Sequence, residues 1–134
     1  WSLPGLEALL QRLPALLEGH APEPCLVHGD LWSGNAMARL RPEPSEPSAP
    51  GEGGGAIFDP AVHRADREVD LAMARLFGGF PAEFFAGYEA IWPLPEGHRG
   101  RVGLYNLYHL LNHANLFGRS YLEQARQQIS RCLA

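Results

Sequence analysis

Helical hydrophobic periodicity dominates the chain from residue 66 onwards. Apolar residues recur there three and four positions apart, which places them on one face of a helix. Gly78 with Gly79, and Pro93 with Pro95, separate the apolar stripes, because glycine ends helices and proline cannot continue them. The pattern predicts helices over residues 66–80, 81–92 and 99–117 and a last one carrying Leu122, Ala125, Ile129, Cys132 and Leu133. Residues 66–134 are therefore expected to form a helical subdomain.

The first part of the chain combines one helical pattern with short strand-like runs. Residues 1–19 are predicted to form a leading helix, in which Pro14 is expected to break or kink the run. Residues 36–40 and 55–58 can each supply a brief strand, and the Pro-, Ser-, Glu- and Gly-rich stretch 41–54 predicts a flexible loop. Antiparallel pairing of the two strands would make a hairpin. The predicted fold class is α+β, mainly α with one small β-hairpin.

The charged residues exclude several functions. All 11 basic residues are arginine, so no site that needs a lysine on a phosphate or in a Schiff base is complete within the chain. A net charge of −4 offers no basic surface for nucleic acid or an anionic membrane. No apolar run approaches the roughly 18 to 20 residues of a membrane span, and the first residues lack the basic region of a signal peptide. We expect a cytoplasmic protein with no nucleic-acid and no membrane partner.

The densest group of polar residues lies in the segment HGDLWSGN, residues 28–35. His28, Asp30 and Asn35 have the spacing H-x-D-x-x-x-x-N, which resembles the catalytic loop of kinase-like phosphotransferases. In that loop the aspartate accepts the proton of the attacking hydroxyl and the asparagine binds Mg²⁺. Asp59 follows the second predicted strand, and the hairpin would return it to the end of the first strand, next to Asn35. Ordinary turn or capping roles remain the alternative for these residues.

The resemblance extends to the fructosamine kinase family, also called ketosamine or ribulosamine kinases. Four runs carry it over about residues 25–122: HGDLWSGN, IFDPA, REVDLAMARLFGGFP and LYHLLNHANLFGRSY. It implies the C-terminal lobe of a protein-kinase-like fold, with residues 25–60 as catalytic loop and metal-binding hairpin. It also implies an enzyme that uses ATP and Mg²⁺ to phosphorylate a sugar hydroxyl of a ketosamine or glycated amine, which leads to deglycation. Asp30 would be the catalytic base, and Asn35 and Asp59 would bind the metal and the cofactor.

Residues around this loop carry further expectations. His28 is expected to orient the loop through a hydrogen bond, with a second catalytic group as the alternative, and Asp70 is expected to brace the loop. Trp32 can stack on a sugar or simply pack. His113 and Asn115, together with the neighbouring Asn112, either bond to nearby loops or line the acceptor pocket. The remaining aromatic residues are expected in the core, namely Phe77, Phe80, Phe84, Phe85, Tyr88 and Trp92.

Two other functions remain open at this stage. The first is another small-molecule kinase of the same fold, acting on an aminoglycoside, choline or a different alcohol, although Trp32 and the FGGFP run favour the fructosamine kinases. The second is a non-catalytic C-terminal lobe that acts as a binding module. The glycine-rich hairpin and lysine of the family's N-terminal lobe do not occur in the sequence, so we expect the chain alone to be incomplete and weakly active or inactive. We also expect an apolar interlobe face that could support oligomer formation.

Overall fold

The computed structural model describes residues 2–38 and 54–134. In these ranges the chain forms five α-helices, one short 3₁₀ helix and two two-stranded sheets. In chain order they are α1 (Leu6–Leu16), β1 (Cys25–Val27), the 3₁₀ helix (Ser33–Asn35), β2 (Ala36–Ala38), β3 (Gly55–Ile57), β4 (His63–Ala65), α2 (Glu68–Leu76), α3 (Ala82–Ile91), α4 (His98–Phe117) and α5 (Arg119–Leu133). The mainly helical α+β class is confirmed. No helix of the described ranges is long and apolar enough to cross a membrane.

The predicted hairpin is present, and a second sheet accompanies it. β2 pairs antiparallel with β3, with Ala36 opposite Ile57. Apart from residue 54, the predicted flexible loop 41–54 lies outside the described residues. β1 pairs antiparallel with β4, with Cys25 opposite Ala65. This second sheet was not predicted, because a strand of three residues is too short to show an alternating pattern.

The main core lies between α1, α4 and α5. Its buried cluster consists of Leu9, Leu107, Leu110, Ala125 and Ile129. On another side of α4 lies α2, which buries four consecutive residues from Leu71 to Ala74. These contacts place the start of α2 against the loops that follow β1 and β4.

Pro14 does not break the first helix, which continues to Leu16. Proline removes the hydrogen bond to the carbonyl of the residue four positions earlier, here Leu10. Leu10 is exposed, so water can replace that bond. The proline lies in the last turn, and only two residues of the helix follow it.

The predicted aromatic core is not present, because none of its six members is buried: Phe77, Phe80, Phe84, Phe85, Tyr88 and Trp92. No residue of α3 is buried, and Trp92 is 47% exposed. Arginines cover these rings instead: the guanidinium carbon of Arg67 lies 4.1 Å from the Trp92 ring centroid, and that of Arg75 lies 3.8 Å from the Phe85 centroid. Periodicity reveals an apolar stripe, but it does not show whether apolar groups or stacked cations cover the stripe.

Candidate active site

Hydrogen bonds to α2 hold the loop that follows β1. The backbone N–H groups of His28 and Gly29 donate to the two carboxylate oxygens of Asp70, at N···O distances of 2.7 and 2.8 Å. Asp70 lies in the first turn of α2, so the helix and the loop are joined by two bonds to one charged group. The expected bracing role of Asp70 is therefore confirmed.

His28 orients the same loop from its buried side. Its Nδ1 accepts a hydrogen bond from the backbone N–H of Asp30 at 3.3 Å. The proton is thus assigned to Nε2, which donates to the carbonyl oxygen of Phe58 at 2.9 Å. Both ring nitrogens are engaged by the backbone, which is the orienting role expected for His28 and leaves neither nitrogen for a substrate.

Asp30 and Asn35 form a fixed pair. The side-chain nitrogen of Asn35 donates to the backbone carbonyl and to Oδ2 of Asp30, both at 3.0 Å. Asn35 is buried, so its amide is locked in one orientation. Because the amide nitrogen faces Asp30, the amide oxygen is the atom that Asn35 can offer to a cation.

The hairpin brings Asp59 back to the end at which Asn35 lies. Asn35 directly precedes β2, and its carbonyl accepts a hydrogen bond from the backbone N–H of Phe58 at 3.0 Å. Asp59 comes next, exposed, with φ of 55°, a left-handed conformation that aspartate tolerates better than most residues. The amide oxygen of Asn35 and the carboxylate of Asp59 are hard oxygen donors, so this pair fits a magnesium ion.

A cavity of about 730 Å³ opens beside Asp30. Polar and aromatic side chains share its wall, including Asp30, Trp32, His109, Asn112, His113 and Tyr121. Many rings with a few convergent polar groups are typical of small-molecule sites. Aromatic rings of this kind can stack on the apolar face of a sugar while the polar groups bond to its hydroxyls.

Two of the three predicted substrate residues line this cavity. Trp32 is one of them, and its ring lies so close over Gly34 that a Cβ there would collide with it. His113 is the second, and its Nδ1 donates to the carbonyl oxygen of His109 at 2.8 Å. Asn115 is exposed and is not part of the cavity wall, so the structure does not bring it to the site.

His109 also lines the cavity, and it was not among the residues predicted from the sequence. It lies one helical turn before His113 on α4, a spacing that places both side chains on one face of the helix. That spacing is the signal that could have found it.

The model for fructosamine kinase matches residues 2–134. The chain belongs to the fructosamine kinase family. It is 46% identical over 132 residues to a Synechocystis protein named "Probable ketoamine kinase". The match covers 98% of this chain and 41% of that protein. A Vibrio parahaemolyticus protein with the same description is 44% identical over 134 residues, covering 99% of this chain and 42% of that protein.

Solved structures agree with this membership. The crystal structure of a Thermobifida fusca protein, described as a candidate fructosamine-3-kinase, matches with a TM-score of 0.80 at 35% identity. The match covers 96% of this chain and 41% of that one. The chain thus spans about two fifths of the length of these relatives, and the resemblance stated from its motifs is confirmed.

One of those family-like runs, FGGFP, contacts the loop of residues 28–35 directly. Gly79 has φ of 95°, and a Cβ at this position would collide with the side chain of Ser33. Glycine is required here both for the backbone conformation and for the close approach. The turn after α2 therefore packs on the 3₁₀ helix that ends in Asn35.

A second polar cluster lies at the base of α2 and was not predicted; we call it the basal cluster. Tyr105 donates to Oδ2 of Asp66 at 2.6 Å, and His20 Nε2 lies 2.6 Å from the same oxygen. Arg101 binds both carboxylate oxygens of Glu68, at 2.9 and 2.7 Å. Ligand atoms of His20, Asp66 and Glu68 lie within 4.8 Å of one another, as metal ligands do, but these hydrogen bonds and ion pairs already engage them.

Proposed function

We propose that this chain supplies the catalytic loop, the metal ligands and the acceptor cavity of a kinase that uses ATP and Mg²⁺ to phosphorylate a sugar hydroxyl of a ketosamine, such as fructoselysine or a ribulosamine. The observation that carries the proposal is the Asp30–Asn35 pair, held rigidly at the edge of a cavity rich in aromatic rings. Family membership supports the same reaction class. The chain contains no lysine, so the proposal assigns it the acceptor and metal side of the reaction.

In this proposal Asp30 accepts the proton of the attacking sugar hydroxyl. Phosphoryl transfer depends mainly on positioning and on charge stabilisation. Asn35 holds the Asp30 carboxylate from one side, and the bonds from His28 and Gly29 to Asp70 hold the backbone from the other. The attacking oxygen would thus meet a base whose position does not have to be reorganised during the reaction.

The residues for Mg²⁺ would be Asn35, through its amide oxygen, and Asp59, through its carboxylate. When bound, the ion neutralises charge on the phosphate oxygens of the nucleotide. The Phe58 N–H bond to Asn35 holds the two ligand-bearing segments together. Phosphorylation of the third sugar oxygen would make the ketosamine unstable, and loss of the sugar would restore the free amine.

Exposed apolar side chains on the two sheets support the expectation of a covered interlobe face. Leu26 on β1, Met37 on β2, Ile57 on β3 and Val62 before β4 are all exposed. We place the contact with a nucleotide-binding lobe on this surface. An oligomer through the same face, the cytoplasmic location, and the absence of nucleic-acid and membrane partners stay predictions from the sequence.

The proposal is tested in the complete protein that contains these residues. Phosphorylation by ATP with Mg²⁺ is measured on fructoselysine, a ribulosamine, an aminoglycoside and choline, and again after chelation with EDTA. We expect turnover of the ketosamines only, and its loss with EDTA. Asp30→Asn should lower kcat at least about a hundredfold, since a general base contributes about 10² to 10⁴, with an unchanged circular dichroism spectrum.

Glu83→Gln serves as the matched control, because this carboxylate is exposed on α3 and outside the cavity. It should leave turnover unchanged. Activity on the aminoglycoside or choline alone would reject the substrate assignment. Full activity of Asp30→Asn would reject the catalytic assignment.

A further inference from the structure

His109 has a buried nitrogen without a partner beside the proposed base. The residue is 6% exposed. Within the described part of the chain, its Nε2 is buried and forms no hydrogen bond. Buried polar atoms are almost always paired, so this atom requires an explanation.

The surroundings of His109 point to a ligand. The residue lines the same cavity as Asp30 and Trp32. Asn106 provides a comparison on the same helix, because its Oδ1 is also buried and unpartnered among the described residues. Asn106, however, is absent from the wall of this cavity. The residue that carries the unpartnered Nε2 therefore borders a space that a small molecule can enter, whereas Asn106 does not.

The charge state of His109 suits a neutral ligand group. Burial lowers the pKa of His109 below its usual 6.5, although the nearby Asp30 carboxylate acts in the opposite direction. The ring is therefore neutral at neutral pH and has one N–H and one acceptor nitrogen. A hydroxyl group both donates and accepts, so it can pair with Nε2 in either tautomer.

We propose that His109 is a substrate-binding residue whose Nε2 hydrogen-bonds a hydroxyl of the sugar acceptor, next to the hydroxyl that Asp30 activates. The inference rests on the proposed function and deepens it. It assigns to α4 the polar recognition of the sugar, while Trp32 and the other rings provide the stacking surface. Because the bond is made to a group other than the reacting oxygen, it contributes mainly to acceptor binding.

The experiment uses the complete protein that contains these residues, with fructoselysine as the probe. Its binding is measured by isothermal titration calorimetry without nucleotide, and KM and kcat are measured with ATP. His109→Leu removes the polar nitrogen, and His109→Gln keeps a polar atom near the Nε2 position. Asn106→Leu is the matched control, since it removes another buried group of α4 that has no partner in the described part of the chain.

We expect His109→Leu to weaken fructoselysine binding and to raise its KM at least about tenfold, with a much smaller change in kcat. His109→Gln should recover part of the affinity, and Asn106→Leu should leave the KM for fructoselysine unchanged. Fructoselysine analogues that lack one sugar hydroxyl give an independent test in the unmutated protein. One analogue should bind the unmutated protein as weakly as fructoselysine binds the leucine variant. The affinity of that analogue should be no lower for the leucine variant than for the unmutated protein.

Two failures can be distinguished. If the unmutated protein neither binds nor phosphorylates ketosamines, the proposed function is wrong. If it phosphorylates them and His109→Leu binds fructoselysine equally well, then water alone satisfies Nε2 and the inference about His109 is wrong. Should the leucine variant fail to fold, equal binding of all the deoxy analogues to the unmutated protein would overturn the inference.

Discussion

Two polar regions flank the first turns of α2, and they differ in how completely their groups are paired. In the basal cluster, Tyr105 and His20 engage the Asp66 carboxylate, and Arg101 engages Glu68 through two bonds. Around the catalytic loop, Asp70 is equally well bonded, but the network ends at an open cavity. There the Nε2 of His109 has no partner among the described residues.

This difference in pairing distinguishes polar groups that stabilise the fold from polar groups that are available for function. Buried charges are tolerated when each is paired and hydrogen-bonded, and such a network holds its elements in one arrangement. A region that leaves a buried polar atom without a partner loses some of that stability. The basal cluster is therefore expected to govern folding, and the catalytic loop to govern turnover.

The largest effect is expected from breaking the buried ion pair of the basal cluster. Arg101→Met leaves the Glu68 carboxylate buried and unpaired, and should lower the free energy of unfolding by about 3–5 kcal/mol. Urea denaturation followed by circular dichroism measures the loss. The double variant Arg101→Met with Glu68→Leu should recover most of it, because no buried charge remains; a single variant as stable as the unmutated protein would show that the pair is not buried in solution.

A smaller effect in stability, but a large one in turnover, is expected at Asp70. Asp70→Asn exchanges one of the two charge-assisted acceptors for a donor that faces a backbone N–H, so the loop shifts and kcat/KM should fall about a hundredfold. Asp66→Asn is the matched control, since it makes the same chemical change on the basal side. It should lower the melting temperature and leave kcat/KM of the folded protein unchanged, whereas equal losses of activity in both variants would contradict the division between the two regions.

The smallest effect concerns acid stability. Burial raises the pKa of Asp66, but hydrogen bonds from Tyr105, the Glu68 backbone and His20 outweigh it and hold the pKa below 3.8. A carboxylate whose pKa is lowered by folding stabilises the fold at pH values above its pKa in the unfolded chain, near 3.8. This contribution is lost as the pH falls through its pKa in the folded protein.

Tyr105→Phe removes the hydroxyl that bonds to Asp66. It should cost about 1.5–3 kcal/mol at neutral pH, and less as the pH falls through the folded pKa of Asp66, which lies below 3.8, because a protonated carboxyl group accepts a weaker hydrogen bond. Thermal unfolding at pH 7 and at pH 3 measures the two differences. A cost that does not shrink on acidification would show that Tyr105 stabilises by packing and not through the charge of Asp66.

Local patterns in the sequence predicted much of the site. The spacing of His28, Asp30 and Asn35 indicated the loop, and the two strand-like runs indicated the hairpin that returns Asp59 to Asn35. Asp70 was predicted to brace the loop and does so through two backbone bonds. The loop and the hairpin were predictable because each depends on residues that are close in sequence or on two strands that pair locally, whereas the position of Asp70, more than 40 residues from the loop it binds, was expected from the resemblance of its segment.

Other features depend on elements that meet only in the folded chain. The pairing of β1 with β4 joins two three-residue strands whose composition carries no periodic signal. The bonds from His20 and Tyr105 to Asp66 connect three separate segments. The rings of α3 and Trp92 were expected in the core but are half-buried or exposed, and the arginines that stack on them come from outside α3.

The sequence by itself determined the helical class and the family, and it singled out Asp30, Asn35 and Asp59 as candidates for the base and the metal ligands, because these inferences rest on residue types at short, fixed spacings. Only the tertiary structure decided which further side chains share the cavity with Asp30. It brought in His109 and His113 from α4 and left Asn115 outside, since the direction of a side chain depends on how its helix rotates and packs. It likewise decided which buried charges are paired and which buried polar atoms have no partner among the described residues.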